Sequence, residues 1–336
     1  MRASVLVTRA SFPDIIERLA ADFDVTDNPD DAIWTQAELI ERLQGKVGAM
    51  TAGSDRIDAT LLDACPQLKA VCNIGVGYNN VDVDACTARG VLVTNTPDVL
   101  TDTTADFGFA LMMAAARRIA ESEHFLRAGE WRVTGRYDMF VGGDVHGSTL
   151  GILGMGRIGQ AIARRGAFGF GMRVIYHNRS QLAPDVEEGC RARYVDKETL
   201  LREADHLIVV VPYSASSHHA IGAAELKQMK SSATLTNIAR GGVVDDAALA
   251  VALGEGGIAA AGLDVFEGEP LVCPALLAQK NVVLTPHIGS ASVNTRRAMA
   301  SLCADNLIAA LGRGALAGKP PTPVNPQLLT RSAVIV

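Results

Sequence analysis

Three side chains in the last third of the chain have types and spacing that suit chemistry on a carbonyl. Arg240 lies in Asn237-Ile238-Ala239-Arg240-Gly241, Glu269 in Asp264-Val265-Phe266-Glu267-Gly268-Glu269-Pro270, and His287 in Leu284-Thr285-Pro286-His287-Ile288-Gly289. Each set follows a short apolar run that reads as a strand. A cation, an acid and an imidazole converging on one crevice are what the reduction of a keto acid needs. Taken singly, the arginine reads as a surface ion pair and the histidine as structural, so the weight rests on the set.

A second pattern lies upstream. Gly154-Met155-Gly156-Arg157-Ile158-Gly159 directly follows the strand Thr149 to Leu153 and opens a helix, which is the context GxGxxG requires. The first glycine allows the tight turn and the second lets a pyrophosphate approach the backbone. The third lets helix and strand pack closely, with phosphate on the helix N-terminal amides. The next strand ends in Val174-Ile175-Tyr176-His177-Asn178-Arg179-Ser180, with no carboxylate for the ribose hydroxyls. Asn178 removes the repulsion against a 2'-phosphate, Arg179 can pair with it, and the Ser180 hydroxyl can donate to it. The pattern therefore favours NADP(H), with NAD(H) as the alternative.

These residues need strands to hold them, and the chain alternates strand and helix as an α/β protein does. Ser4 to Thr8, Gly48 to Ala52, Lys69 to Asn73 and Val91 to Thr94 read as the strands of a first, smaller parallel unit. From Thr101 the character changes, with Asp102-Thr103-Thr104 expected to cap a helix, Ala105 to Ala116, that is apolar on nearly every face and must be buried. A second series of strands follows: Thr149 to Leu153, Arg173 to Tyr176, His206 to Val211, Thr234 to Asn237, Ala260 to Leu263 and Val282 to Leu284. Six such strands complete one doubly wound sheet. A long helical pattern then runs from about Ala291 to Leu311, before a tail studded with prolines.

Composition excludes several classes. With 336 residues, 48% hydrophobic and 20% charged, the chain is too long for one core and reads as two soluble domains. A net charge of -6 and the lack of a long basic run leave no footprint for nucleic acid. The first strand is too short for a signal-peptide core, and the longest apolar run, Phe107 to Ala116, is too short for a membrane span. A cytoplasmic location is expected. The six cysteines show neither a CxxC pair nor accompanying paired histidines, so free buried thiols are expected and no metal site.

The glycine fingerprint and the three catalytic segments, together with Asn73-Ile74-Gly75-Val76-Gly77-Tyr78-Asn79-Asn80-Val81-Asp82 and Asn95-Thr96-Pro97-Asp98-Val99-Leu100-Thr101, resemble the D-isomer-specific 2-hydroxyacid dehydrogenase family. The likeness runs from about Gly48 to Asn325 and is greatest to glyoxylate/hydroxypyruvate reductases and the related 2-ketogluconate reductases. Several of those carry the same asparagine-arginine-serine replacement. The resemblance implies two doubly wound parallel-sheet domains, with a Rossmann coenzyme domain (101–288) inserted into a flavodoxin-like substrate domain (1–100 plus 289–336). It also implies hinge closure around the site.

Carried over residue by residue, the resemblance makes Arg240 the grip on the substrate carboxylate and His287 the general acid, held by Glu269 in its protonated form. Glu267 lies two residues earlier; the family pattern selects the acid immediately before proline, hence Glu269. Val76 and Gly77, in a glycine-flanked loop, are expected to offer backbone N–H groups to the substrate carboxylate. Thr104, Pro212, Ser217, Ile238, Ala239, Asp264 and Gly289 match positions that line the cofactor, although Asp264 could equally cap a turn. The stretch Phe125 to Gly147, with Trp131, corresponds to a dimerisation arm, and a homodimer is expected. Ser148, in place of a common lysine, and the irregular Tyr137 to Val145 depart from the pattern away from the chemistry.

Other readings share parts of this pattern. A nucleotide-sensing, non-catalytic binding module keeps the fold but needs docking surface outside it, and almost no sequence lies outside. Formate dehydrogenases carry glutamine where Glu269 stands. Phosphoglycerate dehydrogenases often add a regulatory domain, which is not expected past Val336. D-lactate and phosphite dehydrogenases remain alternatives within the superfamily.

Overall fold

The computed structural model describes residues 2–329. Met1 and residues 330–336, the end of the expected 289–336 segment, lie outside the described residues. The chain forms two compact units, one of residues up to Leu100 joined by the chain from Ala291, the other Thr101–Ser290.

The first unit holds five parallel strands, β1 (Ser4–Val7), β2 (Asp24–Thr26), β3 (Gly48–Thr51), β4 (Ala70–Asn73) and β5 (Leu92–Thr94), in the order β2-β1-β3-β4-β5. Both faces are covered, so the strands are apolar nearly throughout rather than alternating. Val5 and Val7 join Met50, Ala70 and Cys72 on one face, and Leu6 joins Ala49, Val71 and Val93 on the other. The helix Val293–Ala310, capped by Ser292, lays Ala300, Cys303, Ala304 and Leu307 on the first of these faces. Beyond it, Asn325 accepts from Val93 N at 2.8 Å and donates to Val91 O at 3.0 Å, tying the tail to β5.

The second unit holds seven parallel strands: β6 (Thr149–Leu153), β7 (Arg173–His177), β8 (Ala192–Tyr194), β9 (His206–Val209), β10 (Thr234–Asn237), β11 (Ala260–Leu263) and β12 (Val282–Leu284). Their order is β12-β11-β10-β9-β6-β7-β8, which reverses direction between β6 and β9 as a doubly wound sheet does. The fold class expected from the sequence is the one observed. Two edge strands, β2 and β8, add to the expected set. Both are three residues long and lack an apolar core, so no pattern announces them. The helix over Thr101–Ala116 starts earlier than expected: Asp102, Thr103 and Thr104 lie within its first turn and do not cap it. Its expected burial is observed, with Ala105, Leu111, Met112 and Ala115 in the core.

All six cysteines are free, and burial pushes the Cys72 and Cys86 thiols up to about 12. Among the described residues, no helix is long and apolar enough to cross a membrane.

Candidate active site

Adjacent strands deliver the three candidate catalytic residues at their carboxyl ends. β10 ends at Asn237, three residues before Arg240; β11 ends at Leu263, ahead of Asp264 and Glu269; β12 ends at Leu284, three residues before His287. Because β10, β11 and β12 are parallel neighbours, these ends share one edge of the sheet, where α/β proteins bind ligands. Buried Asn237 shapes the first loop, its Oδ1 accepting from Ala239 N at 3.0 Å. A Cβ on Gly241 would lie 1.7 Å from the Phe266 carbonyl oxygen, so only glycine lets the Arg240 loop rest against the loop that carries Glu269.

Glu269 is held from two sides. Its Oε1 accepts from Phe266 N at 2.8 Å, and its Oε2 lies 2.8 Å from His287 Nδ1. Burial pushes this carboxyl up, but the hydrogen bonds from His287 and Phe266 and the charges of His287 and Arg240 outweigh it, leaving it below the ordinary range. Arg240 is part-buried, with Nη1 donating to Ala239 O at 2.7 Å. Burial draws its guanidinium below its usual value, and the charge of Glu269 opposes that fall. An arginine stays protonated even so. The pair therefore leaves His287 Nε2 as the ring nitrogen that can exchange a proton with a ligand.

His287 sits in the left-handed region, with φ +54, and its loop is clamped from beneath. Asp264, buried, accepts from the Thr285 hydroxyl and Ile288 N through Oδ1 and from Gly289 N through Oδ2, each at 2.8 Å. Burial raises the Asp264 carboxyl, and these three donors work against the rise. Of the two roles open to Asp264 from the sequence, its carboxylate performs the turn cap. Thr285 was not singled out in the sequence; its position two residues before the histidine is the only signal it gives.

The glycine fingerprint lies four strands along the same edge. Gly154 follows β6 with φ +105, and a Cβ on Gly159 would lie 2.2 Å from Gly154 O, which fixes the close helix–strand approach. Gly156 caps the helix Arg157–Arg164 without a side-chain hydrogen bond, and a Cβ there would meet nothing within 4 Å. Open space thus faces first-turn amides that no intrahelical carbonyl can satisfy, a cradle for phosphate. Met155 is buried and its N–H is taken by Asn178 Oδ1 at 2.7 Å, while Ile158 is half-buried. Asn178 therefore ties the loop after β7 to the fingerprint. Arg179 and Ser180 are exposed at its tip, and Arg179 has no carboxylate partner among the described residues.

After β9, Pro212 and Ser217 form a tight turn in which Ser217 Oγ donates to Pro212 O at 2.9 Å. Ile238 and Ala239 are buried, and Thr104, beside Gly289, has a buried hydroxyl with no partner among the described residues. An orphaned donor of this kind suits a polar ligand atom. The residues present fit a dinucleotide along this edge.

Comparison with known proteins accords with this arrangement. Residues 109–289 match the family described as D-isomer specific 2-hydroxyacid dehydrogenase, NAD binding domain. A glyoxylate reductase of Thermococcus gammatolerans is 47% identical over 332 residues, which are 98% of each chain. The chain belongs to the D-isomer specific 2-hydroxyacid dehydrogenases. Glyoxylate/hydroxypyruvate reductase B of Klebsiella pneumoniae is 46% identical over 93% of this chain and 96% of its own. The crystal structure of an NADPH-dependent glyoxylate/hydroxypyruvate reductase from Sinorhizobium meliloti, in complex with NADP and malonate, superposes with a TM-score of 0.84 at 39% identity. It covers 96% of this chain and 97% of that one. This dehydrogenase is thus an oxidoreductase that uses a nicotinamide nucleotide and a small acid substrate.

In the first unit of the dehydrogenase, the loop after β4 carries Val76 and Gly77, whose carbonyls accept from Asn95 Nδ2 and Asn73 Nδ2, each at 2.9 Å. Among the described residues neither amide N–H of this pair has an acceptor. Gly75, with φ +151, donates its N–H to Thr96 Oγ1 at 2.9 Å, which holds the turn. Asn73, Asn95 and Thr96, which the sequence shows only as members of a longer motif, each make a bond in this loop.

Proposed function

We propose that the protein reduces small 2-keto acids, glyoxylate and hydroxypyruvate foremost and 2-ketogluconate as a further substrate, to D-2-hydroxy acids with NADPH. The observation that carries the reading is the Glu269–His287 pair beside Arg240, on the same sheet edge as the glycine fingerprint. The reduced nicotinamide, when bound, supplies the hydride. Arg240 holds the substrate carboxylate and polarises the keto oxygen with a planar, permanently charged fork. His287 donates the proton from Nε2 to that oxygen, and Glu269 at Nδ1 fixes the ring and stabilises its charged form. Val76 and Gly77 hold the carboxylate by backbone N–H groups. The names of the Thermococcus, Klebsiella and Sinorhizobium relatives support this substrate class.

NADPH is preferred on this reading because Asn178, Arg179 and Ser180 occupy the ribose end without a carboxylate, and Asn178 is committed to the fingerprint loop. Thr104, Gly154, Gly156, Arg157, Gly159, Pro212, Ser217 and Gly289 complete the coenzyme contacts. The working form is a homodimer. Leu126, Trp131, Val133 and Val141 are each more than half exposed on the expected arm, as is Ile119 just before it, an apolar surface that a second copy would cover.

The test is kcat/KM for glyoxylate, hydroxypyruvate, pyruvate, phenylpyruvate and 2-ketogluconate with each coenzyme. The expected outcome is at least tenfold preference for NADPH, lost in Arg179→Ala. Native preference for NADH overturns the coenzyme reading, and no turnover of any 2-keto acid overturns the substrate reading.

A further inference from the structure

We propose that His218, His219 and Glu267 form a binding site for a divalent transition metal of the zinc class, on the loops after β9 and β11. Nothing in the proposed reaction uses these three residues. Each offers one ligand atom, and the three atoms lie within 4.8 Å of one another. Zinc bonds to nitrogen and oxygen of about 2.0–2.2 Å place tetrahedral ligands roughly 3.4 Å apart, so closing the set asks for side-chain shifts of about an ångström.

The backbone makes the set. Consecutive side chains in extended chain point apart. His219 instead has φ +49, and its ring stacks on that of His218 with centroids 3.9 Å apart and planes 22° from parallel. Its N–H donates to Gly242 O at 2.7 Å, which holds the turn in place. Glu267 arrives from a loop 48 residues later, and its Oε2 lies 2.9 Å from His219 Nε2. An ion would take the place of the hydrogen between them.

The outer nitrogen of His218 is already supported as that of a metal-bound histidine is. Tyr213 Oη lies 3.3 Å from His218 Nδ1, leaving Nε2 of that ring for a ligand. Asp245 Oδ2 lies 3.7 Å from His219 Nδ1, beyond hydrogen-bond distance but near enough to add negative charge beside the set. Space for the Tyr213–His218 pair depends on Gly242, where a Cβ would come within 3.2 Å of Tyr213 and 3.3 Å of His218.

Charge and access agree. Two neutral imidazoles and one carboxylate leave one positive charge on a divalent ion, with Asp245 adjacent and Asp246 bonded to Glu267 N at 3.0 Å. His218 and Glu267 are exposed, which gives the ion a path and a place for a fourth, water ligand. Two nitrogen donors select zinc-like ions over magnesium and calcium, which prefer all-oxygen sets. Occupancy would join the loop that bears Ser217 to the loop that bears Glu269.

The test is titration of the chelator-stripped full-length enzyme with Zn2+ against a chromophoric chelator, with Co2+ as an absorbing probe. The expected result is one ion per chain, not displaced by millimolar Mg2+, and a melting temperature that rises with Zn2+. His219→Ala and Glu267→Gln should each weaken binding tenfold or more, while His287→Gln leaves it unchanged. His218→Gln, at an exposed position, gives the same reading should His219→Ala fail to fold. Absence of stoichiometric binding, undiminished binding in the His218, His219 and Glu267 variants, or loss of binding in His287→Gln overturns the proposal, the last by placing the ion at the catalytic pair.

Discussion

Glu269 reaches His287 across eighteen residues of chain: its Oε2 joins the two loops, while its Oε1 is held within its own loop by Phe266 N. Replacing His287 by alanine removes the proton donor, so kcat should fall by about a hundredfold or more. Arg240→Ala should raise KM and lower kcat together, since one group serves both substrate binding and the developing charge. A kcat within twofold of the parent in His287→Ala would remove the proton-transfer role. The folded-state value of Glu269 is depressed, so the pair's contribution is present above the ordinary glutamate value of about 4.3 and is lost as pH falls through the lower folded value. Measured pH profiles of kcat should therefore show no loss from Glu269 above that point. In Glu269→Gln the ring loses its carboxylate partner at Nδ1, so kcat should fall at least tenfold at every pH where the parent pair is intact. By residue type and spacing Glu267 could be confused with Glu269, and the family pattern of an acid immediately before proline selects Glu269. In the structure Glu269 meets His287, and Glu267 turns to His219.

At the level of the elements, the strands that matter were legible because both sheet faces are covered. Thr149–Leu153, Ala260–Leu263 and Val282–Leu284 are short, mostly apolar runs bounded by glycine or polar turns, Thr234–Asn237 is rich in β-branched threonine, and each is observed with the expected ends. β2 and β8 escaped because an edge strand of three half-exposed residues carries no apolar run. The cap expected at Asp102–Thr104 is not observed, because those residues already lie within the first turn of the helix. Loop contacts between strands were invisible, and Gly241 shows why: its need for glycine comes from the Phe266 carbonyl, a group 25 positions away. Gly241→Ala must push the Arg240 loop from the Glu269 loop. It should cost roughly 1–3 kcal/mol by chemical denaturation and lower kcat/KM at least tenfold. A fully active, equally stable variant would show that the two loops can separate without consequence.

For the whole molecule, a chain of 35.4 kDa with a broken apolar surface from Ile119 to Val141 is expected to pair in solution. A groove of about 550 Å³ within the same unit is lined by Phe125, Phe140, Leu277 and Val283 among others, and by none of the catalytic residues. Sedimentation should give twice the chain mass, and Trp131→Asp with Val141→Asp should shift it to the monomer by placing charge in an apolar interface. Parent enzyme that sediments as a monomer at micromolar concentration would refute the dimer.

What the amino-acid order determined by itself is the alternation of strand and helix, the doubly wound class, and the chemical kind of each catalytic group. Local periodicity, glycine turns and side-chain type carry those properties, and they act over a few neighbouring residues. What only the tertiary structure decided is partnership. What Asp264 binds, why position 241 must lack a side chain, and the meeting of His218 and His219 with Glu267 all depend on where distant loops come to rest. That placement follows from the stacking order of parallel strands, which brings together segments far apart in the chain.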